Sequence, residues 1–179
     1  DKTGTITEGK PSVQKVIWKS GVNEKPMAAV FRALEEKSEH PLASAITDYF
    51  SKEKVSGNLT AFKTFTGQGV TGQFDGAQYA IGNLKWLKSL GSSIDLSLSQ
   101  AADEMLEQGN IVVYMAKGKE VVGVVSIADK LRETSKAAIA QLTKMGITVH
   151  MLTGDQEKTA ASIAGEVGIT NFQSGLLPQ

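Results

Sequence analysis

Asp1 offers a carboxylate nucleophile, and Lys2-Thr3-Gly4-Thr5-Ile6-Thr7 follow it at once. Small, hydroxylated and glycine residues let backbone amides approach an anion closely. The stretch suits a carboxylate that attacks a phosphoryl group while a magnesium ion neutralises charge. Taken alone, it also fits an ordinary turn with a solvated carboxylate. Leu152-Thr153-Gly154-Asp155 is a second polar point, at the C-terminal edge of a predicted strand, where open α/β sheets place ligands. A strand-to-helix turn capped by Asp155 is the plainer alternative. A third lies at Glu35 and Ser38-Glu39-His40-Pro41. His40 is predicted at a helix N-terminus, where protonation is disfavoured and a neutral ring can accept or stack. A solvated capping histidine is the other reading. Gly67-Gln68-Gly69 and Ile81-Gly82-Asn83 complete the set, and by themselves they are consistent with tight hairpins. No Walker phosphate loop is present, so phosphates must be held by other means.

The elements that must position these residues read as a mixed α/β chain. Residues 8 to 20 alternate as a strand leading away from Asp1, and Ser20-Gly21-Val22-Asn23 is a turn. Met27, Val30, Phe31 and Leu34 recur at helical spacing, and the helix is predicted to end near Lys37. Pro41 is placed to open a second helix with Leu42, Ala45, Ile46, Tyr49 and Phe50 on its apolar face. Residues 61 to 66, 69 to 74 and 77 to 82 read as three strands joined by glycine turns. Two helices, over 84 to 90 and 97 to 108, precede a hairpin over 110 to 116 and 119 to 128. Asp129-Lys130-Leu131-Arg132 interrupts the apolar run. A helix over 132 to 145, a strand over 147 to 152 and a helix over 157 to 167 follow.

The 179 residues suffice for one ordinary domain or two small ones, and 41% apolar content supports a sizeable core. Lys+Arg and Asp+Glu both number 19, so no basic excess points to nucleic acid or a lipid surface. With no cysteine there is neither a disulfide framework nor a thiolate metal site. No apolar run is long enough to span a bilayer. A chain that opens on its own nucleophile reads as a piece of a larger protein.

Asp1-Lys2-Thr3-Gly4-Thr5-Ile6-Thr7 resembles the phosphorylation motif of the P-type ATPases, and Thr153-Gly154-Asp155 resembles a later motif of the same pumps. Ser38-Glu39-His40-Pro41, with Gly67-Gln68-Gly69 and Ile81-Gly82-Asn83 after it, is similar to the nucleotide-binding signature of the heavy-metal subgroup. The resemblance covers essentially the whole chain. It implies an incomplete haloacid-dehalogenase, Rossmann-like phosphorylation domain (residues 1–20 and 126–179), joined at Asp129–Arg132 by a hinge. Residues 21–125 would be an inserted nucleotide-binding domain with an antiparallel sheet and flanking helices.

In that resemblance Asp1 takes the γ-phosphoryl group of ATP, and Asp1 and the Thr3 carbonyl help hold Mg2+. Thr5 supports the phosphate loop, Thr153 contacts phosphate beside Gly154, and Asp155 is its partner at the domain interface. Glu35 reads the adenine amino edge and His40 orients the nucleotide. Gly67, Gly69 and Gly82 allow backbone approach to adenine and ribose, and Asn83 adds a polar contact. The implied partners are ATP and the rest of a parent pump, with its membrane and actuator domains and a transported heavy-metal ion, copper foremost. The chain would lie on the cytoplasmic side of a membrane. Residues 172 to 179 resemble the approach to a further motif that completes the magnesium site, so the chain alone is expected to bind ATP but turn over little. Two rivals stand beside this reading. A haloacid-dehalogenase-type phosphatase usually carries a second Asp where Thr3 stands, as general acid and base. A nucleotide-binding regulatory module would bind without turnover.

Overall fold

The computed structural model describes residues 1–155 and 157–176, so the terminal Leu177-Pro178-Gln179 lies outside it. Among the described residues the elements are β1 (Thr7–Trp18), α1 (Glu24–Glu35), α2 (Ala43–Tyr49), β2 (Leu59–Phe65), β3 (Gly69–Phe74) and β4 (Ala77–Gly82). They continue as α3 (Leu84–Ser89), α4 (Leu96–Glu107), β5 (Ile111–Lys117), β6 (Glu120–Leu131), α5 (Ser135–Lys144), β7 (His150–Leu152), α6 (Glu157–Val167) and β8 (Asn171–Gln173). Six strands form one sheet in the order β1-β6-β5-β4-β3-β2, and β7 and β8 pair in parallel as a second sheet. No helix among the described residues is long and apolar enough to cross a membrane.

The chain forms two compact units. One comprises 1–11, 103–111 and 128–179; the other comprises 12–102 and 112–127. β1 contributes its first residues to the first unit and its remainder to the second. Val13, Val16 and Trp18 lie against the core of the second unit.

In the second unit the helical spacing of Met27, Val30, Phe31 and Leu34 becomes the buried stripe of α1. With Ile46 and Phe50 of the α2 segment it covers Val70, Phe74, Tyr79 and Ile81 of β3 and β4. Trp18 meets Phe31 edge-on, with centroids 6.4 Å apart. β2, β3 and β4 are antiparallel, with an irregularity between Thr60 and Lys63 where Ala61 takes a positive φ. The helix expected from Pro41 starts two residues later, at Ala43; Pro41 sits instead in a turn closed by the Ala43 N–H on the His40 carbonyl, 2.9 Å away.

In the first unit Ile6, Ile139, Met151, Ala160, Ala164, Val167 and Ile169 form the core. β6 does not stop at Asp129 but runs through to Leu131. An acid is tolerated there because its oxygens are both bonded: the Lys10 N–H donates to Oδ1 at 2.9 Å and the Thr7 hydroxyl to Oδ2 at 2.5 Å. The helix expected from Arg132 begins at Ser135, since residues 132 to 134 are spent on the chain reversal.

Candidate functional site

Asp1 is exposed at the head of a loop over Lys2–Ile6 in which Thr3 is extended (ψ 123°) and Gly4 has φ +77°. Glycine adopts that conformation without steric cost. The Gly4 N–H donates to the Thr7 hydroxyl at 3.3 Å. Thr3 and Thr5 are exposed, while Lys2 and Thr7 are buried. The short loop thus turns one side inward and keeps the Asp1 and Thr3 side open.

Lys2 reaches the second motif. Its ammonium is ion-paired with Asp155 Oδ2, with side-chain exposures of 4% and 13%. That oxygen has no aligned hydrogen-bond donor among the described residues, so charge attraction holds the pair. The Asp155 N–H donates to the Thr153 hydroxyl at 3.1 Å, and the Gly175 and Leu176 N–H groups donate to the Asp155 and Thr153 carbonyls at 2.8 and 3.1 Å. A side chain at Gly154 would come within 3.0 Å of the Leu176 carbonyl. The first and last motifs of the chain therefore meet within one unit, through Lys2.

Glu35 and His40 are joined in the second unit. Glu35 ends α1 almost fully buried, and burial pushes its carboxyl up to about 7 despite an opposing hydrogen bond from Ser38. The same Ser38 oxygen accepts the His40 N–H at 3.3 Å. His40 is exposed, yet neighbouring atoms desolvate its ring and hold its pKa below the ordinary value. Its Nδ1 accepts the Leu42 N–H at 3.2 Å, which leaves the Nε2 edge as the free donor of a neutral ring.

Gly67, Gly69, Gly82 and Asn83 also come together. Gly69 pairs with both Phe65 and Gly82, and Gly67 turns with φ +69°. The reason for two of these glycines lies within the protein. A Cβ on Gly69 would stand 2.1 Å from the Ile81 carbonyl and 2.5 Å from Trp86, and one on Gly82 would stand 2.3 Å from the Gln68 carbonyl and 2.7 Å from Trp86. Their missing side chains make room for the buried indole. Asn83 caps α3, accepting the Trp86 N–H at 2.9 Å, and its amide donates toward the Gly67 and Gln68 carbonyls at 3.4 and 3.3 Å. Asn83 thereby shapes the glycine loop. α1 packs on β2 and β3, the strands that this loop joins.

Sequence reasoning missed Lys2, Ser38, Trp86 and Arg132 as contributors. Lys2 and Ser38 stood inside the quoted motifs, and Trp86 follows Ile81-Gly82-Asn83 at one helical turn. Arg132 was read as part of the hinge and as the start of the helix that follows.

The chain matches the haloacid dehalogenase-like hydrolase family over residues 1–177, and it belongs to that family. It is 36% identical over 185 residues to a probable cadmium-transporting ATPase of Alkalihalophilus pseudofirmus, covering 100% of this chain and 26% of that protein. It is 36% identical over 180 residues to a copper-exporting P-type ATPase of Legionella pneumophila, covering 100% of this chain and 24% of that one. The crystal structure of a zinc-transporting PIB-type ATPase in its E2.Pi state superposes with a TM-score of 0.68 at 30% identity, over 99% of this chain and 28% of that one. The chain thus spans about a quarter of the length of the relatives it matches.

Proposed function

We propose that this chain is the ATP-binding and phosphoryl-accepting part of a heavy-metal-translocating P-type ATPase, with copper as the foremost cargo. The observation that carries the reading is the Lys2–Asp155 pair, which draws the Asp1 loop and the Thr153-Gly154-Asp155 turn together. Asp1 attacks the γ-phosphorus of ATP, the β–γ bridging oxygen leaves with ADP, and the phosphoryl group stays on the Asp1 carboxylate. Thr153 offers its hydroxyl to the phosphate from the neighbouring turn. Glu35 and His40 take adenosine in the second unit, and the glycine loop shaped by Asn83 and Trp86 borders it. Residues 1–20 and 126–179 would serve phosphorylation and residues 21–125 nucleotide binding, on the cytoplasmic side of a membrane. The membrane and actuator domains would belong to the parent pump.

Mg2+ fits this arrangement. It commonly binds through one or two carboxylates with substrate phosphates and water. Asp1 and Thr3 are both exposed, so the Asp1 carboxylate and the Thr3 carbonyl would be the starting pair. The ion would neutralise charge on the transferring phosphoryl group.

The test has two parts. Calorimetry of the 179-residue chain should give a single ATP site, weakened about tenfold or more by His40→Gln. The intact protein, given γ-labelled ATP and copper(I), should form a base-labile phosphoprotein that Asp1→Asn abolishes. Labelling that survives Asp1→Asn would overturn the reading. ATP binding without any labelling of the intact protein would favour the regulatory module.

A further inference from the structure

From the contacts of the first unit we infer that Arg132 is a positioning residue for phosphoryl transfer, acting by holding the carbonyls of the Asp1 loop; this rests on Asp1 being the acceptor. Its Nε donates to the Thr7 carbonyl at 3.0 Å, and its Nη2 donates to the Gly4 carbonyl at 3.0 Å. Its own backbone N–H donates to the Ile6 carbonyl at 3.0 Å, which also accepts the Ser135 hydroxyl at 2.7 Å. Beside it, Asp129 takes the Thr7 hydroxyl and the Lys10 N–H. Three carbonyls of the segment that follows Asp1 are thus gripped from residues 129–135.

The grip serves position more than stability. Arg132 is exposed, so its two side-chain bonds compete with water. Ile6 keeps two donors without the guanidinium. Gly4, in contrast, has φ +77° and follows an extended Thr3, so the Gly4–Thr5 peptide plane can rotate once the Gly4 carbonyl is free, while the Gly4 N–H stays on the Thr7 hydroxyl. Such rotation shifts Thr3 and Asp1 relative to the contacts that remain: the Thr7 hydroxyl with the Gly4 N–H and the Lys2 carbonyl, and the Lys2–Asp155 pair. Phosphoryl transfer depends on in-line placement of the attacking oxygen, and a displacement of about 1 Å costs on the order of a hundredfold in rate. A planar guanidinium donates to the two carbonyls from separate nitrogens in a rigid fork, which the single nitrogen of a flexible ammonium does not reproduce.

The experiment uses the intact protein with Arg132→Gln and Arg132→Lys, and Asp1→Asn as control. Labelling from γ-labelled ATP is followed at rising nucleotide concentration, with ATP affinity measured separately. We expect Arg132→Gln to slow labelling at saturating ATP by roughly 10- to 100-fold, with the half-saturating ATP concentration and the melting temperature little changed. Arg132→Lys should restore part of the rate. Saturated labelling within about twofold of the parent in both variants would overturn the inference, as would an effect confined to the half-saturating concentration. Should Arg132→Gln melt early, Arg132→Lys decides by the same criteria. Unchanged labelling in Asp1→Asn would overturn the underlying reading, whereas its loss together with normal Arg132 variants would overturn the positioning role alone.

Discussion

Lys2 and Asp155 form a nearly buried ion pair that links the loop after the proposed nucleophile to the turn carrying Thr153. Breaking such a pair leaves a desolvated charge, which costs about 3–5 kcal/mol, more than the pair itself contributes. Lys2→Met and Asp155→Asn should therefore each lower the stability of the first unit by about 3 kcal/mol. The double variant should recover part of that loss. Urea dependence of hydrogen exchange at the Met151 and Ala160 amides is the measurement. Additive losses in the double variant would show that the pair is not coupled.

Glu35 gives the second unit a pH signature. Its carboxyl rises from 4.5 to about 7 on folding because burial disfavours the charged form. Between those values the folded state binds more protons than the unfolded one, so stability falls as pH rises through this window and levels off above about 7. Glu35→Gln should flatten that slope.

The same titration should govern ligand binding. In the proposed adenine contact only a deprotonated Glu35 would accept from the amino group, so ATP affinity should be roughly tenfold higher near pH 8 than near pH 6. Desolvation shifts His40 in the opposite sense, toward its neutral form. Calorimetric titration of wild type and Glu35→Gln across this range separates the carboxyl from the titration of ATP itself. Parallel profiles would remove Glu35 from adenine recognition.

Gly69→Ala and Gly82→Ala should destabilise the second unit by at least about 2 kcal/mol, because the added carbon meets backbone carbonyls as well as Trp86. Loss of ATP binding in these variants would then report lost structure. Gly67, with its positive φ, is the better probe of the loop when changed to Asn, which tolerates that conformation. Thermal melts read by circular dichroism, with calorimetry alongside, distinguish the two effects.

Much of the fold was legible because its signals are local. The stripe Met27-Val30-Phe31-Leu34 and the alternation along β3 translate directly into buried faces. Errors fell where a distant partner changed a local preference. Asp129 breaks the apolar run of β6 in sequence, yet the strand continues because the Thr7 hydroxyl and Lys10 amide satisfy it.

The residue strings alone carried the proposed chemistry: Asp1 through its type and its small hydroxylated neighbours, and Glu35 with His40 and Thr153-Gly154-Asp155 through their resemblance to pump motifs. The tertiary structure decided which residues hold them. Lys2 is an ordinary cation until folding buries it against Asp155. Ser38 acquires a role only because the turn after α1 sets it between the Glu35 carboxyl and the His40 amide. Arg132 matters because β6 returns beside the start of β1, and Gly69 and Gly82 because Trp86 lies over them. Chemistry belongs to side-chain type, which sequence records directly. Burial, charge pairing and close approach belong to distances between remote residues, and only the folded chain sets those distances.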